Sequence, residues 1–221
     1  MATTRIIPMH VNKGKTIAQC LTERTDYAKN PDKTEDGEYI SAYACDAKTA
    51  DSEFLLSKRQ YRQFTGREQA SDVIAYQIRQ SFKPGEVTPE QCHAIGVELA
   101  RKMWGGRFQV LVATHLNTNC LHNHFVINSV SYIDGKKYEQ KRSQYYDLRT
   151  ASDDICRAHE LSVIEQPLGK TPRQLYEAEQ RGEPTRYNQM RAAIHEAKAK
   201  TSTERDFARA LDGLGYVLSL I

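Results

Sequence analysis

Three histidines within a ten-residue segment are the residues whose types and spacing point most directly to chemistry. They form the pattern H-x6-H-x-H in the segment H-L-N-T-N-C-L-H-N-H-F-V-I-N. Side chains two positions apart on a strand point to the same side, so His122 and His124 share one face while Phe125 and Ile127 take the other. Because imidazole is a common metal ligand, the pattern predicts a metal site rather than unrelated core histidines.

A β-hairpin would bring His115 to the other two histidines. Residues 108–115 are apolar and β-branched, and residues 117–120 are typical of a turn. Three neutral imidazoles fill only part of the shell of a divalent cation and leave positions for water or substrate, as in catalytic sites. Nitrogen ligands favour manganese, nickel, zinc or cobalt, although phosphate oxygens would make magnesium possible. The pattern therefore leaves the identity of the metal open.

Asn128 and Tyr27 are two further candidate site residues, and each also has an ordinary structural explanation. Asn128 lies on the same predicted strand face as His122 and His124, where it would orient a ligand, contact substrate, or simply satisfy backbone groups. Tyr27 lies in the segment T-D-Y-A-K-N-P-D-K-T, at a predicted helix end. A tyrosine in such a place most often packs amphipathically, and a nucleophilic role is the rarer alternative.

Helices and strands interleave along the chain, but hairpins connect some of the strands. This order favours an α+β fold with an antiparallel or mixed sheet, helices on one face, and a second face open to a ligand. Gly66 and the capping box from Thr88 to Gln91 mark helix ends. Predicted strands cover 4–11, 39–45, 73–82, 108–115 and a segment from His122, and predicted helices cover 13–27, 52–64, 89–103, 145–161, 187–198 and 202–211.

The length and composition limit the classes of protein to which this chain can belong. The 221 residues suffice for one domain of ordinary size with a small appendage, and the net charge of +3 permits a nucleic-acid partner without requiring one. The five cysteines include no C-x-x-C pair, which is typical of a reducing cytoplasm. No apolar run approaches the roughly 20 residues that span a bilayer. We expect a soluble cytoplasmic protein without membrane insertion, truncated after the apolar run G-Y-V-L-S-L-I.

The motifs together resemble a known family. H-x6-H-x-H with N-H-F-V-I-N, preceded by I-R-Q-S-F-K-P-G-E and by Y-A-K-N-P-D-K-T, is similar to the conjugative relaxases of the MobP-like mobilisation class in the HUH endonuclease superfamily, particularly those of Gram-positive integrative elements. The resemblance covers residues 1–165. It implies an HUH-type two-layer sandwich with a mainly antiparallel sheet flanked by helices, leaving residues 166–221 as a helical extension.

The resemblance also implies a function and its residues. Tyr27 would attack a DNA phosphate to form a 5′-phosphotyrosine, His115, His122 and His124 would bind a divalent metal, manganese or magnesium in function, and the Ser81 hydroxyl would contact DNA. The chain would nick and transfer one strand at an origin of transfer. Its partners would be that DNA, as a single strand with a flanking hairpin or duplex, a relaxosome accessory protein and a type IV secretion coupling protein.

Basic and aromatic residues supply candidate DNA contacts. The predicted contacts are Lys29, Lys33, Lys136, Lys137, Lys141 and Arg142. Weaker candidates are Lys58, Arg59 and Arg62 on one helix face, Tyr138, Tyr145 and Tyr146 for base stacking, and Arg173, Arg181, Arg186 and Arg191 near the end of the chain. A solvated helix face is the ordinary alternative for such charges.

One departure from the family pattern concerns the general base. Relaxases of this type commonly read H-x-D, whereas Asn117 stands at that position here. An amide would orient His115 or a water, but it would not take a proton. Three other functions stay open at this point: a rolling-circle replication initiator or transposase, a three-histidine hydrolase of small molecules, and a non-catalytic single-strand-binding module.

Overall fold

The computed structural model describes residues 2–67, 71–165 and 172–218. Contacts between Cα atoms divide the chain into two compact units, residues 1–165 and 166–221. The first unit is built on a sheet, and the described residues of the second are helical or in loops.

The first unit contains a five-stranded antiparallel sheet with the strand order β1-β3-β5-β4-β2. The histidine hairpin supplies two adjacent inner strands, β4 and β5, while β1 and β2 form the edges. The strands are β1 Thr3–Met9, β2 Ile40–Tyr43, β3 Ala75–Ser81, β4 Val110–His115 and β5 His122–Asn128. The predicted α+β class with an antiparallel sheet flanked by helices is confirmed.

Helices pack on both faces of this sheet. The helices are α1 Ile17–Ala28, α2 Pro31–Thr34, α3 Ala50–Thr65, α4 Pro89–Met103 and α5 Arg142–Ala158. Helices α4 and α5 bury Leu99 and Ile155 against Phe125 on one face. Helices α1 and α3 bury Leu21 and Phe54 on the other. The expectation of helices on one face was therefore wrong, because both strand faces carry apolar residues.

Helices α1 and α3 cover only part of the second face of the sheet. Helix α1 contacts β4 and β5, and the α1–α3 cluster reaches the β1–β3 pair at its Met9 and Ala75 end. Further along these two strands on the same face, the side chains of Arg5, Ile7 and Arg79 are exposed. One half of this face is therefore open beside the histidine hairpin.

Local sequence explains where the helices begin and end. Capping boxes at Thr16 and Thr88 begin α1 and α4, and Gly66, with a φ of 65°, ends α3. Helix α2 was not predicted, because only four residues separate its Asn30 cap from Glu35. Asn30 caps the amide of Asp32, and a proline occupies the first turn.

The second unit contains α6 Arg173–Gln180, α7 Arg186–Lys200 and α8 Glu204–Gly213. Thr185 and Thr203 cap the last two helices. Residues 216–218 lie outside any strand, and the rest of the predicted terminal strand-like run lies outside the described residues. All five cysteines are free. Within the described ranges, no helix is both long and apolar enough to span a membrane.

Candidate metal and nucleophile site

The hairpin brings the three histidines together at one end of the sheet. His115 and His122 are direct partners across β4 and β5, and His124 follows on the same face. The ring centroids of His115 and His124 are 4.3 Å apart, and those of His122 and His124 are 5.0 Å apart. One ligand nitrogen from each ring lies within 4.8 Å of the other two. These three residues are called the histidine triad below.

Hydrogen bonds to backbone oxygens fix the tautomers of two of the rings. His115 donates from Nε2 to the carbonyl oxygen of Ala28 over 3.0 Å, and His122 donates from Nδ1 to that of Cys120 over 2.9 Å. A carbonyl oxygen only accepts, so these two nitrogens carry the protons. The lone pairs of His115 Nδ1 and His122 Nε2 are therefore available to a cation.

The third ring, His124, presents a buried nitrogen that needs a partner. Its Nε2 atom is buried and has no hydrogen-bond partner among the described residues. Its Nδ1 atom lies 3.2 Å from the side-chain amide nitrogen of Gln77. Rotating this amide by 180° places Oε1 there as an acceptor, puts the His124 proton on Nδ1, and frees Nε2 for a metal.

The electrostatics keep the triad neutral. Burial lowers the pKa of His115 and of His122, and it lowers the pKa of His124 to about 3, with further lowering from the neighbouring imidazoles and from Arg79. Neutral imidazoles bind metals, and protons compete weakly for such sites near neutral pH.

This donor set fits a divalent metal. Metal–nitrogen bonds of about 2.1 Å place neighbouring ligand atoms about 3.0–3.4 Å apart in a tetrahedral or octahedral shell, so the three rings would close inward to bind one cation. The unpartnered Nε2 atom of His124 is separate evidence that this site binds a metal, because buried polar atoms without a partner are rare. Three nitrogen ligands also leave positions open to oxygen atoms of a substrate.

Tyr27 stands directly over the triad. Its ring centroid lies 5.7 Å from that of His115 and 5.7 Å from that of His124, and the side chain is 46% exposed. The Nζ atom of Lys33 lies 4.0 Å from the centre of the same ring. The structure thus brings a phenol, an ammonium group and three imidazoles to one place.

Backbone contacts hold the α1–α2 turn against the end of β4. Besides the His115 bond to Ala28, the amide of Leu116 donates to the carbonyl oxygen of Lys33 over 2.8 Å. His115, the last residue of β4, and Leu116, which follows it, therefore both bind the segment that carries Tyr27. The position of the phenol depends on the same strand that supplies a triad histidine.

The strand register adds polar residues that sequence reasoning missed. Ser81, which was predicted, is the direct partner of His122 on β3. Arg79 is the partner of His124, and Arg5 is the partner of Arg79 on the edge strand β1. Alternation along the predicted strand places Arg79 on the face of Ser81, but only the pairing of strands shows that this face carries the triad.

A hydrogen-bonded network supports the hairpin from the opposite face. Asn123, between two triad histidines, accepts from Thr114 over 2.6 Å and donates to Gln80 over 3.1 Å and to the Cys92 carbonyl oxygen over 2.8 Å. A Cβ atom on Gly96 would lie 2.5 Å from the Asn123 amide nitrogen. Glycine at this position therefore lets α4 approach the strand that carries the triad.

Three predicted residues do not join the triad. Asn117 is exposed in the hairpin loop, and backbone oxygens of Ala28 and Cys120 orient the histidines instead. Asn128 faces the same side but lies at the far end of β5, where its buried amide bonds Gln109 and the Phe54 carbonyl oxygen. Lys29 lies 3.6 Å from Asp26 and 3.4 Å from the carbonyl oxygen of Lys48.

The basic segment after the hairpin lies at the opposite end of the sheet from the triad. Lys136, Lys137 and Lys141 line an open cleft of about 960 Å³, and Arg142 begins α5 beside it. The cleft also contains Arg67, Lys102, Arg107, Trp104, Phe108 and Tyr138. Lys137 pairs with Asp72 over 2.6 Å, and Arg107 pairs with Asp134 over 2.9 Å. This surface is called the basic cleft below.

The weaker DNA-contact candidates divide by exposure. The ammonium of Lys58 turns inward and donates to the Ser129 hydroxyl over 2.6 Å, whereas Arg59 is exposed on α3. Tyr138 packs against Tyr76, with ring centroids 4.8 Å apart, and is not free to stack on a base as it stands. Tyr146 is 51% exposed on α5.

Comparison with known proteins assigns the chain to a family. The model of the MobA/VirD2-like relaxases, nuclease domain, matches residues 27–161, which include Tyr27 and the whole triad. The chain belongs to this relaxase family, and the resemblance drawn from its motifs is confirmed.

Relatives of this chain carry the same description. Protein rlx of Staphylococcus aureus is 38% identical over 185 residues, which is 81% of this chain and 56% of that protein. The group II intron-interrupted relaxase LtrB of Lactococcus lactis subsp. cremoris is 27% identical over 184 residues, covering 68% of this chain and 33% of that protein. The chain thus spans about half the length, or less, of these curated relatives.

A solved structure shares the fold. The MobM relaxase domain, in a Mn-bound crystal structure with plasmid pMV158 oriT DNA, matches with a TM-score of 0.55 at 12% identity, over 86% of this chain and 98% of that one. At this identity the likeness concerns the fold alone. The α+β architecture is therefore that of a relaxase domain.

Proposed function

We propose that this chain nicks one strand of DNA at an origin of transfer, and later rejoins it, with Tyr27 as the nucleophile and a divalent metal held by His115, His122 and His124. The observation that carries the proposal is the position of the Tyr27 ring, 5.7 Å from two of the three converging histidines. A metal bound there would neutralise charge on the scissile phosphate.

The chemistry of the phenol follows from its neighbours. A free phenol is largely protonated at neutral pH, so its oxygen is a weak nucleophile until the proton is lost. The ammonium of Lys33, 4.0 Å from the ring centre, is placed to attract an oxygen of a phosphate bound beside the phenol. As the proton passes to solvent, the Tyr27 oxygen bonds phosphorus, the bond to the 3′-oxygen breaks, and that oxygen takes up a proton.

The products explain why a covalent route suits strand transfer. The phosphodiester is exchanged for a 5′-phosphotyrosine, so its energy is retained and the free 3′-hydroxyl of a strand can reverse the reaction. Manganese or magnesium fits this use, and nickel, cobalt or zinc would also accept three imidazoles. The MobM relaxase domain supports the proposal, since its structures contain bound oriT DNA and two of them also contain manganese.

The basic cleft is proposed to hold DNA that flanks the nick. The six-residue strand β4, about 20 Å long, separates the basic cleft from the triad. The cleft would therefore bind a different stretch of DNA from the one that contains the scissile phosphate. Cations outnumber carboxylates along its lining, and exposed Lys102, Lys136 and Lys141 are available to phosphates. A hairpin or duplex beside the single strand fits this separation.

The family membership supports the remaining assignments. We assign the nuclease to residues 1–165 and a helical extension to residues 166–221, and we place the reaction in the cytoplasm, where plasmid or integrated DNA is found. A relaxosome accessory protein and a type IV secretion coupling protein are the expected partners of a relaxase.

The deciding experiment looks for a covalent adduct. The protein is incubated with manganese and an oligonucleotide that spans the origin of transfer of its own genetic element, and the products are separated in SDS. We expect a protein–DNA band with the wild type and with Tyr176→Phe, an exposed tyrosine on α6, and no band with Tyr27→Phe. An adduct on Tyr27→Phe would refute the nucleophile, and a wild type that releases product without an adduct would indicate a hydrolase.

A further inference from the structure

A continuous series of side-chain hydrogen bonds crosses the sheet on the face opposite the histidine triad. Its members, in order across the sheet, are Ser41 on β2, His93 on α4, Thr114 on β4, Asn123 on β5, Gln80 on β3 and Ser152 on α5. Successive members are joined by bonds of 2.8, 2.9, 2.6, 3.1 and 2.9 Å. These six residues are called the His93 network below.

The carbonyl oxygen of Cys92 fixes the direction of the bonds in this network. A carbonyl oxygen only accepts, so the amide nitrogen of Asn123 must face it, over 2.8 Å, and the Asn123 Oδ1 atom must face Thr114. The Thr114 hydroxyl gives its one proton to that oxygen. Its own oxygen atom can therefore only accept from His93.

The tautomer of His93 follows from this direction. Its Nδ1 atom carries the proton that Thr114 accepts, over 2.9 Å, and its Nε2 atom accepts from the Ser41 hydroxyl over 2.8 Å. Burial lowers the pKa of His93, so the neutral ring is favoured near neutral pH. A neutral imidazole from α4 thus joins the edge strand β2 to β4.

The His93 network crosses the two triad strands between the triad histidines. Thr114 and Asn123 are direct partners across β4 and β5, and the next pair along these strands is His115 with His122. His124 follows Asn123 on the other side. Because successive residues point to opposite faces, the bond between Thr114 and Asn123 lies on one face while the three histidines converge on the other.

The position of this bond bears on how well the triad can bind a metal. The ligand nitrogens lie within 4.8 Å of one another and would close to about 3.0–3.4 Å around a cation. A binding site gains affinity when the free protein already holds its ligands near that geometry, because less ordering remains to be done on binding. Contacts that hold β4 and β5 together between the histidines reduce this cost.

We propose that His93 and Thr114 are positioning residues of the metal site. By completing the His93 network, they fix the spacing of β4 and β5 and hence the distances between the ligand nitrogens of the triad. This inference rests on the proposed metal-binding function of the triad. It adds to that function two residues that lie on the other face of the sheet from the cation.

The test compares variants that remove or retain one hydrogen-bonding group. Thr114→Val and His93→Leu should weaken manganese binding about 3- to 10-fold in calorimetric titration. Thr114→Ser keeps the hydroxyl, and His93→Asn keeps a donor near the place of Nδ1, so both should bind manganese almost as the wild type does. Gln109→Leu is the matched control, because it removes buried hydrogen bonds to Ser57 and Asn128 at the far end of the sheet. Urea unfolding identifies conditions in which every variant is folded.

Two spectra distinguish positioning from a general loss of stability. With cobalt(II) in place of manganese, the visible absorption bands report the geometry of the ligands, so Thr114→Val should shift them and Gln109→Leu should not. In the metal-free wild type, NMR correlation of the imidazole nitrogens with the ring protons should show the His93 proton on Nδ1. A proton on Nε2 would reverse the assigned bonds and overturn the inference.

The remaining outcomes separate this inference from the proposed metal site. Wild-type manganese affinity in Thr114→Val and His93→Leu, an equal loss in Gln109→Leu, or a loss in Thr114→Ser as large as in Thr114→Val would overturn the positioning role, although the triad would still bind metal. A folded wild type that binds no manganese would overturn the metal site itself, and the inference with it.

Discussion

The Nε2 atom of His115 donates a hydrogen bond of 3.0 Å to the carbonyl oxygen of Ala28, the residue that follows Tyr27. A metal-ligand candidate therefore also holds the proposed nucleophile in position. The two roles use different nitrogens of one ring, so the ligand atom and the anchor can act at the same time.

This double role separates His115 from His122. His115→Ala should raise hydrogen exchange of the amides in residues 25–34 of the metal-free protein, because it removes the anchor of the α1–α2 turn. His122→Ala should leave that segment unchanged, since its ring bonds Cys120 in the hairpin loop. Both variants should lose manganese affinity. Equal exchange in the two variants would contradict the coupling.

Gln77 should determine how well His124 binds a metal. An acceptor on Nδ1 keeps the proton there and raises the basicity of the opposite nitrogen, and loss of such a partner costs about 10- to 100-fold in metal affinity. We expect that loss in Gln77→Ala by calorimetric titration with manganese, and near-normal affinity in Gln77→Glu. Gln63→Ala, an exposed position on α3, is the control. Unchanged affinity in Gln77→Ala would dismiss the amide as a partner.

The hairpin and its triad could be predicted from the sequence because the information is local. A period of two residues fixes the shared face of His122 and His124, and the apolar run before His115 defines its strand. The capping box at Thr88 likewise places the start of α4 by side chains three residues apart.

Other parts of the site depend on contacts that no local pattern contains. The bond between His115 and Ala28 joins residues 87 positions apart. The row from His124 to Arg79 and Arg5 depends on which strands pair and in which register. Tyr27 was singled out as the nucleophile by family resemblance. Asn128 shares the face of the triad but lies at the other end of β5, which alternation along a strand does not reveal.

Gly96 should be intolerant of a side chain. Gly96→Ala should lower the free energy of unfolding by about 1–3 kcal/mol, because the new methyl group meets the Asn123 amide at 2.5 Å. Urea unfolding measures the change, and Gly106→Ala is the control, since a Cβ there meets nothing within 4 Å. In an Asn123→Ala background, Gly96→Ala should cost less. Strict additivity of the two changes would show that they do not meet.

Lys58 should make stability depend on pH. Burial, together with the charge of Lys137, lowers the pKa of Lys58 to about 7, while Asp72 partly opposes the shift. Above that pH the folded state has released a proton that the unfolded state still binds, so the free energy of unfolding should rise with pH toward the ordinary range of lysine.

The comparison that isolates this effect is Lys58→Met. Between about pH 7 and 9.5, the wild type should gain stability relative to Lys58→Met by at most about 1.4 kcal/mol per pH unit. Parallel profiles for the two proteins in urea would show that the ammonium of Lys58 is not destabilised by its surroundings.

The basic cleft should contribute to binding without contributing to chemistry. Neutralising Lys102 and Lys141 together, as glutamines, should weaken binding of an origin oligonucleotide with its flanking hairpin and reduce the dependence of binding on salt by about one unit of slope for each lost phosphate contact. The affinity for a single-stranded oligonucleotide limited to the nick region should change little. Lys198→Gln on α7 is the control, and equal losses on both substrates would contradict a separate site.

The two edge strands of the sheet limit its pairing with a strand of another chain. Both edges are poor templates for pairing with another chain, because β2 has only four residues and β1 carries Pro8, which lacks an N–H group. Arg5 adds a charge to the same margin. Edge-to-edge pairing with a second sheet is therefore disfavoured. The β1 edge, which leads to the triad, stays accessible to a polyanion.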